Sequence, residues 1–186
     1  MDQRELVERA RRGDHDAFAV LAGLFVARLD AAARLILRDH ELAQDAVQDG
    51  FIRAWRNLPS LRDPDRFEGW LRSLVARSCL DILRKRRRRP IEVELVSTDG
   101  PAVDDASARM ADRALLDEIL RRLPPEQRVV VVLRYYFDLE LPEIAATLAI
   151  PLGTAKSRLH RSMTVMRLAL ADVDPDGAAL AKGQLA

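Results

Sequence analysis

The sequence predicts an all-α protein, folded as two small helical domains that are joined by a flexible acidic linker. Before Pro90, apolar residues recur at intervals of three and four in nearly every apolar stretch, which is the spacing that lines one face of a helix. The charge then reverses sign: six consecutive cations, residues 84–89, are followed by an acidic stretch that reaches Asp112. The 186 residues are 48% hydrophobic, which is enough to support packed cores.

Four helices are predicted in the first domain, residues 1–90. The first opens at Asp2, with Glu5 three residues on as in a capping box, and the second follows Gly13. The third covers about residues 40–58, and the fourth covers residues 64–87 with a proline near its first turn. The residues expected to face the core are Phe18, Leu21, Leu24, Phe25 and Leu29 in the second helix, Ala43, Val47, Phe51, Ala54 and Leu58 in the third, and Phe67, Trp70, Leu71, Leu74, Ser78 and Ile82 in the fourth.

Residues 91–112 are predicted to form the linker. They contain six carboxylates and a single cation, Arg109, and their apolar residues show little periodicity. Gly100 and Pro101 lie inside the stretch, and such a composition is typical of flexible connections. The second domain is therefore placed at residues 113–170, and residues 171–186 are expected to form a short C-terminal helix or tail.

The second domain opens with a helix that contains Ile119 and Leu120 and is broken at Pro124-Pro125. The next helix is predicted from about Glu126 to Phe137. Its four consecutive valines, residues 129–132, also suit a strand, because β-branched residues favour strands. We predict a helix here, because burial in the tertiary structure can override local propensity and because residues typical of helix boundaries lie on both sides.

Residues 141–166, LPEIAATLAIPLGTAKSRLHRSMTVM, have the pattern of a helix-turn-helix, with a tight connection at residues 149–151. In the second of the two helices, Ala155, Leu159, Ser162 and Met166 are expected to face the core. The outer face then carries Thr154, Ser157, Arg158 and Arg161, flanked by Lys156 and His160. The major groove of DNA admits one α-helix, whose early residues reach the base edges. The outer face is therefore predicted to bind DNA.

A cationic helix face also has a simpler explanation, since such side chains often only solvate a surface helix. The helix-turn-helix context favours DNA binding instead. The cations at residues 84–89 complement the negative end of a helix dipole, but six in succession exceed what capping requires. They repel one another without counterions, so a phosphate backbone is their expected partner. With a net charge of only +1, DNA contacts must come from such local clusters.

Other kinds of site find little support in the sequence. Cys79 has helical spacing among apolar residues and is expected to be a buried side chain. The three histidines are scattered and form no metal-binding arrangement with it, so no metal or other cofactor is expected. No glycine-rich phosphate loop, nucleophile elbow or paired-carboxylate motif is evident, so enzymatic activity is not expected. The charged N-terminal segment and short apolar runs predict a soluble, cytoplasmic protein.

Two parts of the sequence together resemble the bacterial RNA polymerase sigma factors of the extracytoplasmic-function group. DHELAQDAVQDGFIRAWRNL, followed by RFEGWLRSLVARSCLDILRKRRRR, is similar to region 2 of that group. LRRLPPEQRVVVVLRYYFDLELPEIAATLAIPLGTAKSRLHRS is similar to region 4. The resemblance implies a transcription initiation factor that binds core RNA polymerase, directs it to promoter DNA and assists promoter opening. It also implies control by an anti-sigma factor.

The resemblance further implies roles for individual residues. The polymerase-binding segment is matched by Asp45, Gln48, Asp49 and Arg53. The segment that handles the minus-ten strand is matched in or beside Trp70, Arg77, Ser78, Arg84, Lys85, Arg86 and Arg87. The helix that reads the minus-35 element is matched by Thr154, Lys156, Ser157, Arg158 and Arg161. Arg77 departs from the group, which often has asparagine there, and Ser162 to Val165 replace a stretch that is often more basic, so the promoter sequence stays open.

Two other functions remain open at this point. A transcriptional regulator would use the helix-turn-helix with a helical sensing or dimerisation domain, and it would bind duplex DNA without polymerase on paired half-sites. A protein-binding adaptor would carry the same cations only as a solubilising surface.

Trp55 and Trp70 have core spacing but are also side chains on which bases can stack. Trp55 is predicted to lie in the core, and Trp70 is left open.

Overall fold

The fold, seen in a computed structural model, is described for residues 2–88 and 107–173. Within these ranges the first four helices are α1 (Gln3–Arg11), α2 (His15–Leu37), α3 (His40–Asn57) and α4 (Phe67–Arg88). The other four are α5 (Ser107–Arg121), α6 (Pro125–Tyr135), α7 (Leu141–Leu148) and α8 (Leu152–Val173). Short 3-10 turns, Leu58–Ser60 and Pro64–Arg66, lie between α3 and α4. The described ranges contain no strand, which confirms the all-α prediction.

Most of the predicted acidic linker, residues 91–112, lies outside the described residues. Its last part is helical, because α5 begins at Ser107. Ala108, Met110 and Ala111 are strong helix formers, which explains why the helix starts before the predicted boundary at residue 113. The predicted tail likewise begins within α8, which continues to Val173.

The chain divides into two compact units. The first contains α1–α4, in which α2, α3 and α4 pack against one another and α1 packs against α2. Leu21, Ile36, Phe67 and Leu71 are fully buried in its core. At the crossing of α3 and α4, Gly50 approaches the backbone of Val75, and a Cβ atom added at Gly50 would lie 3.2 Å from the Cα atom of Val75. The two helices are therefore closer here than any larger residue permits.

Aspartates begin two helices of the first unit. The Asp14 carboxylate accepts a hydrogen bond from the Ala17 N–H at 3.0 Å, and the Asp39 carboxylate accepts one from the Leu42 N–H at 3.0 Å. Each bond satisfies a backbone donor that the helix itself leaves unpaired. The predicted capping box at Asp2 is wrong, since the Asp2 side chain makes no capping bond. Asp2 and Glu5 are both exposed, so water can satisfy the same groups.

The predicted core of α2 needs one correction. Leu21 and Leu29 are buried, but Leu24 is 60% exposed, so its assignment to the core is wrong. Phe18 and Phe25 are half-buried and make ring contacts with Phe51 and Phe67. The neighbouring helices thus cover a strip of α2 that is narrower than its apolar pattern.

The second unit contains α5, α6, α8 and the first part of α7. α8 packs against α5 and α6. The valines at residues 129–132 are all buried in α6, so the helix prediction for this run is confirmed. Arg128 is also buried, and its guanidinium donates to the carbonyl of Leu123 at 3.1 Å, which secures the turn between α5 and α6.

Candidate nucleic-acid interface

The predicted helix-turn-helix is formed by α7, residues 149–151 and α8. Ala149 ends α7 in the left-handed conformation, with φ of 52°. The N–H of Ile150 donates to the carbonyl of Ala145 at 3.0 Å, and the N–H of Ala149 donates to the carbonyl of Ala146 at 3.3 Å. This pair of bonds is the Schellman arrangement, which satisfies the last carbonyls of a helix and turns the chain sharply.

The second helix of this motif, α8, has distinct inner and outer faces. Ala155, Ser162 and Ala169 are fully buried on the inner face, where Ser162 donates its hydroxyl to the carbonyl of Arg158 at 2.7 Å. Leu159 and Met166 are half-buried. The predicted core residues of α8 therefore share one side of the helix, which fixes the direction of the others.

The outer face of α8 carries the five predicted DNA-reading residues. Lys156 and Arg161 are exposed, and Thr154, Ser157 and Arg158 are half-exposed. The Ser157 hydroxyl donates to the carbonyl of Thr154 at 3.1 Å. Among the residues that the structure describes, no hydrogen bond or ion pair involves the side chains of Lys156, Arg158 or Arg161. These three cations are available to an anionic partner.

The second cluster of cations ends α4. Lys85 and Arg87 are exposed, and Arg84 and Arg86 each approach a carboxylate at 3.5 Å, that of Asp81 and that of Asp39 respectively. Arg88 is the last residue of α4, and Arg89 lies outside the described residues. We call residues 84–88 the basic run.

Three other residues predicted to face the minus-ten strand lie along α4. Arg77 is exposed, and Trp70 is half-buried with its ring centroid 6.1 Å from that of Phe67. Ser78 is only 1% exposed, and its hydroxyl donates to the carboxylate of Asp49 at 2.7 Å. In this arrangement Ser78 joins α4 to α3 and does not present its hydroxyl to solvent. Trp55 packs on Phe18, with ring centroids 5.1 Å apart.

The four predicted polymerase-binding residues of α3 fall into two pairs. Asp45 and Gln48 are exposed. Asp49 and Arg53 form an ion pair at 2.8 Å, and the Arg53 guanidinium also reaches the carboxylate of Asp81 on α4 at 3.1 Å. Burial acts to lower the pKa of Arg53, but its bonds to Asp81 and Asp49 raise the pKa overall, so this cation stays charged.

Sequence reasoning missed Asp81, which contacts both Arg53 and Arg84. Its spacing of three from Arg84 and from Ser78 places all three on one side of α4. The bond to Arg53 depends on the packing of α3 against α4, for which the sequence offers no local signal.

The comparisons with known proteins cover both units. The family described as Sigma-70 region 2 matches residues 24–89, and the family described as Sigma-70, region 4 matches residues 113–166. The RNA polymerase sigma-E factor of Streptomyces avermitilis is 34% identical over 80% of this chain and 82% of its own length. The ECF RNA polymerase sigma factor SigW of Bacillus subtilis is 28% identical over 91% of this chain and 97% of its own.

The chain belongs to the RNA polymerase sigma factors of the extracytoplasmic-function group. This confirms the resemblance drawn from the sequence. The sigma factor is also similar to CnrH, solved in complex with the cytosolic domain of CnrY, with 27% identity and a TM-score of 0.65 over 92% of this chain and 98% of CnrH. Members of the family are transcription initiation factors that direct RNA polymerase to promoters, rather than catalysts.

The remaining chemistry of the sigma factor is sparse. Within residues 2–88 and 107–173, no group of three histidine, cysteine, aspartate or glutamate side chains could hold a metal ion. Burial raises the pKa of the Cys79 thiol to about 12, so the side chain is a neutral part of the core. None of the described helices is both long and apolar enough to cross a membrane.

Proposed function

We propose that this sigma factor reads the minus-35 element with the outer face of α8, holds the minus-ten strand with the basic run and Trp70, and binds polymerase through α3. The observation that carries the proposal is the unpaired cationic face of α8 in a helix-turn-helix. Promoter DNA and core RNA polymerase are its partners in this role, and it assists the opening of the promoter.

The α8 face has the chemistry for both kinds of DNA contact. A guanidinium such as that of Arg158 or Arg161 pairs with the O6 and N7 atoms of guanine, which gives sequence preference. Lys156 and the Thr154 hydroxyl suit phosphate oxygens, which fix the register of the helix without reading bases. Lys156 lies at the flank of the face, as expected for a side chain that follows the backbone.

The basic run suits opened DNA, because a strand that leaves the duplex keeps its phosphates and exposes its bases. Lys85 and Arg87 are exposed for phosphate contacts. Trp70, half-buried near the start of the same helix, offers an aromatic surface on which a base can stack. Arg77 extends the cationic surface along α4, while the buried Ser78 supports it through Asp49.

On α3, Asp45 and Gln48 are the residues proposed to touch polymerase directly. Asp49 and Arg53 face α4 through their bonds to Ser78 and Asp81, so we assign them the role of holding α3 in place. The backbone of α3 is already ordered before binding, so only the side chains of Asp45 and Gln48 have to lose conformational freedom on contact with polymerase.

We also propose that an anti-sigma factor controls this chain, that it acts in the cytoplasm, and that it needs no cofactor and catalyses no reaction of its own. CnrH, which is similar over most of this chain, is in complex with the cytosolic domain of a second protein, CnrY. Core polymerase and promoter DNA are cytoplasmic in bacteria, so the proposed function requires the same location.

Reconstitution tests the proposal. Core RNA polymerase free of sigma factors is mixed with this chain, and co-elution on gel filtration is measured for the unaltered chain and for Asp45→Ala/Gln48→Ala. The double variant should co-elute more weakly, while Asp65→Asn, on a turn of the same unit, should behave as the unaltered chain. Equal co-elution of all three would remove α3 from the proposed polymerase surface. Failure of the unaltered chain to bind a core that binds another sigma factor would overturn the proposed function.

A further inference from the structure

Asp39 and Asp81 of the first unit each use one carboxylate oxygen for a contact that holds the fold and place the other oxygen beside an arginine of the basic run. In Asp39, Oδ1 accepts the Leu42 N–H that caps α3, and Oδ2 lies 3.5 Å from the Arg86 guanidinium. In Asp81, Oδ2 accepts from Arg53 on α3 at 3.1 Å, and Oδ1 lies 3.5 Å from the Arg84 guanidinium. Each aspartate is thus anchored by one oxygen and pairs with a cation of the basic run through the other.

The anchoring bonds place both negative charges beside the cations that the proposed function assigns to DNA. Asp39 is held at the start of α3, and Asp81 is held one turn before the basic run on α4. A phosphate that approaches Arg84 or Arg86 must either displace the carboxylate or share the guanidinium with it. In both cases it meets a like charge a few ångströms away, which opposes binding.

We propose that Asp39 and Asp81 compete with DNA phosphates for Arg86 and Arg84 and so lower the affinity of the sigma factor for DNA of any sequence. This inference rests on the proposed contact between the basic run and DNA. Phosphate contacts carry no sequence information, so weakening them leaves the base contacts of α8 as a larger share of the total. The loss is the same for promoter and for non-promoter DNA, so it lowers the affinity for both and leaves the ratio between them to the base contacts.

If these ion pairs only stabilised the fold, their removal would lower the stability of the first unit. Both pairs with the basic run are long, at 3.5 Å; the side-chain exposures are 62% and 39% for Arg84 and Asp81, and 34% and 26% for the more buried pair of Arg86 and Asp39. Exposed pairs of this kind contribute little to stability. Asparagine keeps a carbonyl oxygen that can cap α3 or accept from Arg53, so aspartate-to-asparagine changes remove the charge with little effect on the fold.

The test uses the full chain and a fluorescent, random-sequence single-stranded oligonucleotide, with the dissociation constant measured by anisotropy across a series of KCl concentrations. Asp39→Asn and Asp81→Asn should each raise the affinity by about two- to fivefold at low salt. Together they should steepen the slope of log K against log salt by about 0.7 for each phosphate gained. Asp65→Asn is the matched control, because it removes an equal charge that pairs with Arg4 near the start of α4.

A fourth variant, Arg84→Ala/Arg86→Ala, separates this inference from the function on which it rests. If it binds the oligonucleotide as the unaltered chain does, Arg84 and Arg86 do not contact DNA, so their part in the proposed role of the run fails and nothing remains for Asp39 and Asp81 to compete with. If it binds more weakly while both asparagine variants match Asp65→Asn in affinity and slope, the competition is overturned. A rise in affinity without a change of slope relative to Asp65→Asn would also overturn it, since no further phosphate would have been engaged.

Discussion

Replacement of Gly50 by alanine should destabilise the first unit, because α3 and α4 cross at this position without room for a methyl group. An added Cβ atom would lie 2.5 Å from the Cγ2 atom of Val75, and behind that methyl it would meet the Val75 backbone N at 3.3 Å. Val75 is 3% exposed, and its β-branched side chain has little rotamer freedom in a helix. The helices must therefore move apart.

The expected magnitude follows from two opposing effects. Alanine has a higher helix propensity than glycine, by about 1 kcal/mol per residue in a helix interior. Overpacking a close helix crossing costs about 1–3 kcal/mol, and contact with backbone places Gly50 at the upper end. We expect a net loss of about 1–2 kcal/mol in the free energy of unfolding. In Gly23→Ala, where a Cβ atom meets nothing within 4 Å, only the favourable effect remains.

Urea unfolding followed by tryptophan fluorescence measures this difference, since both tryptophans, Trp55 and Trp70, lie in the first unit. Gly23→Ala should be more stable than the unaltered chain by about 0.5–1 kcal/mol. The losses from Val75→Ala and Gly50→Ala should be less than additive in the double variant, because Val75→Ala removes the methyl group nearest to the added Cβ atom. A Gly50→Ala chain as stable as Gly23→Ala would refute the close approach of α3 and α4.

Three further predictions concern other positions. Ala149→Gly should stabilise the chain by about 0.5–1 kcal/mol in thermal unfolding, because glycine adopts the left-handed conformation at the end of α7 without strain, whereas Ala146→Gly, inside α7, should destabilise it. The Ala17 N–H and Arg9 lower the pKa of Asp14, so its stabilising contribution is present above the ordinary value of 3.8 and is lost as pH falls through the lowered value. Asp14→Asn, which caps without titrating, should lose less stability in that range, and an equal loss would contradict the assignment. Cys79, buried with a pKa raised to about 12, should react with a thiol reagent only after unfolding; rapid labelling of the folded chain at neutral pH would disprove its burial.

Much of the helical architecture follows from the spacing of apolar residues. The inner face of α8 and the bounds of α3 are predicted from local periodicity, and the structure shows the same buried face and nearly the same bounds. The valines of α6 show how context decides an ambiguous run: they are buried on a helix that Pro125 begins, although β-branched residues also suit strands. Leu24 shows the converse, since a regular apolar pattern does not reveal how wide a strip the neighbouring helices cover.

The sequence predicts which residue types form the candidate site, but it does not predict which of them face solvent and which bind a neighbouring helix. The sequence places Asp45, Gln48, Asp49 and Arg53 on α3 without indicating which of them face α4. The bonds of Asp49 to Ser78 and of Arg53 to Asp81 arise only when α3 and α4 pack in this register. The same packing brings Asp39 to Arg86, which are 47 residues apart in sequence. Such contacts depend on tertiary geometry, and no local pattern encodes them.

The central claim, that the outer face of α8 selects promoters, is tested most directly by mapping transcript starts. Core polymerase is combined with the unaltered chain, Arg158→Ala or Lys156→Ala on a random promoter library, and the starts are sequenced. The unaltered chain should give starts that share two spaced upstream motifs. Arg158→Ala should lose preference at one position of the distal motif, worth about 1–3 kcal/mol, while Lys156→Ala should weaken all promoters alike. Starts without a shared distal motif would contradict the account. So would a distal motif that is the same for Arg158→Ala and for Arg161→Ala as for the unaltered chain.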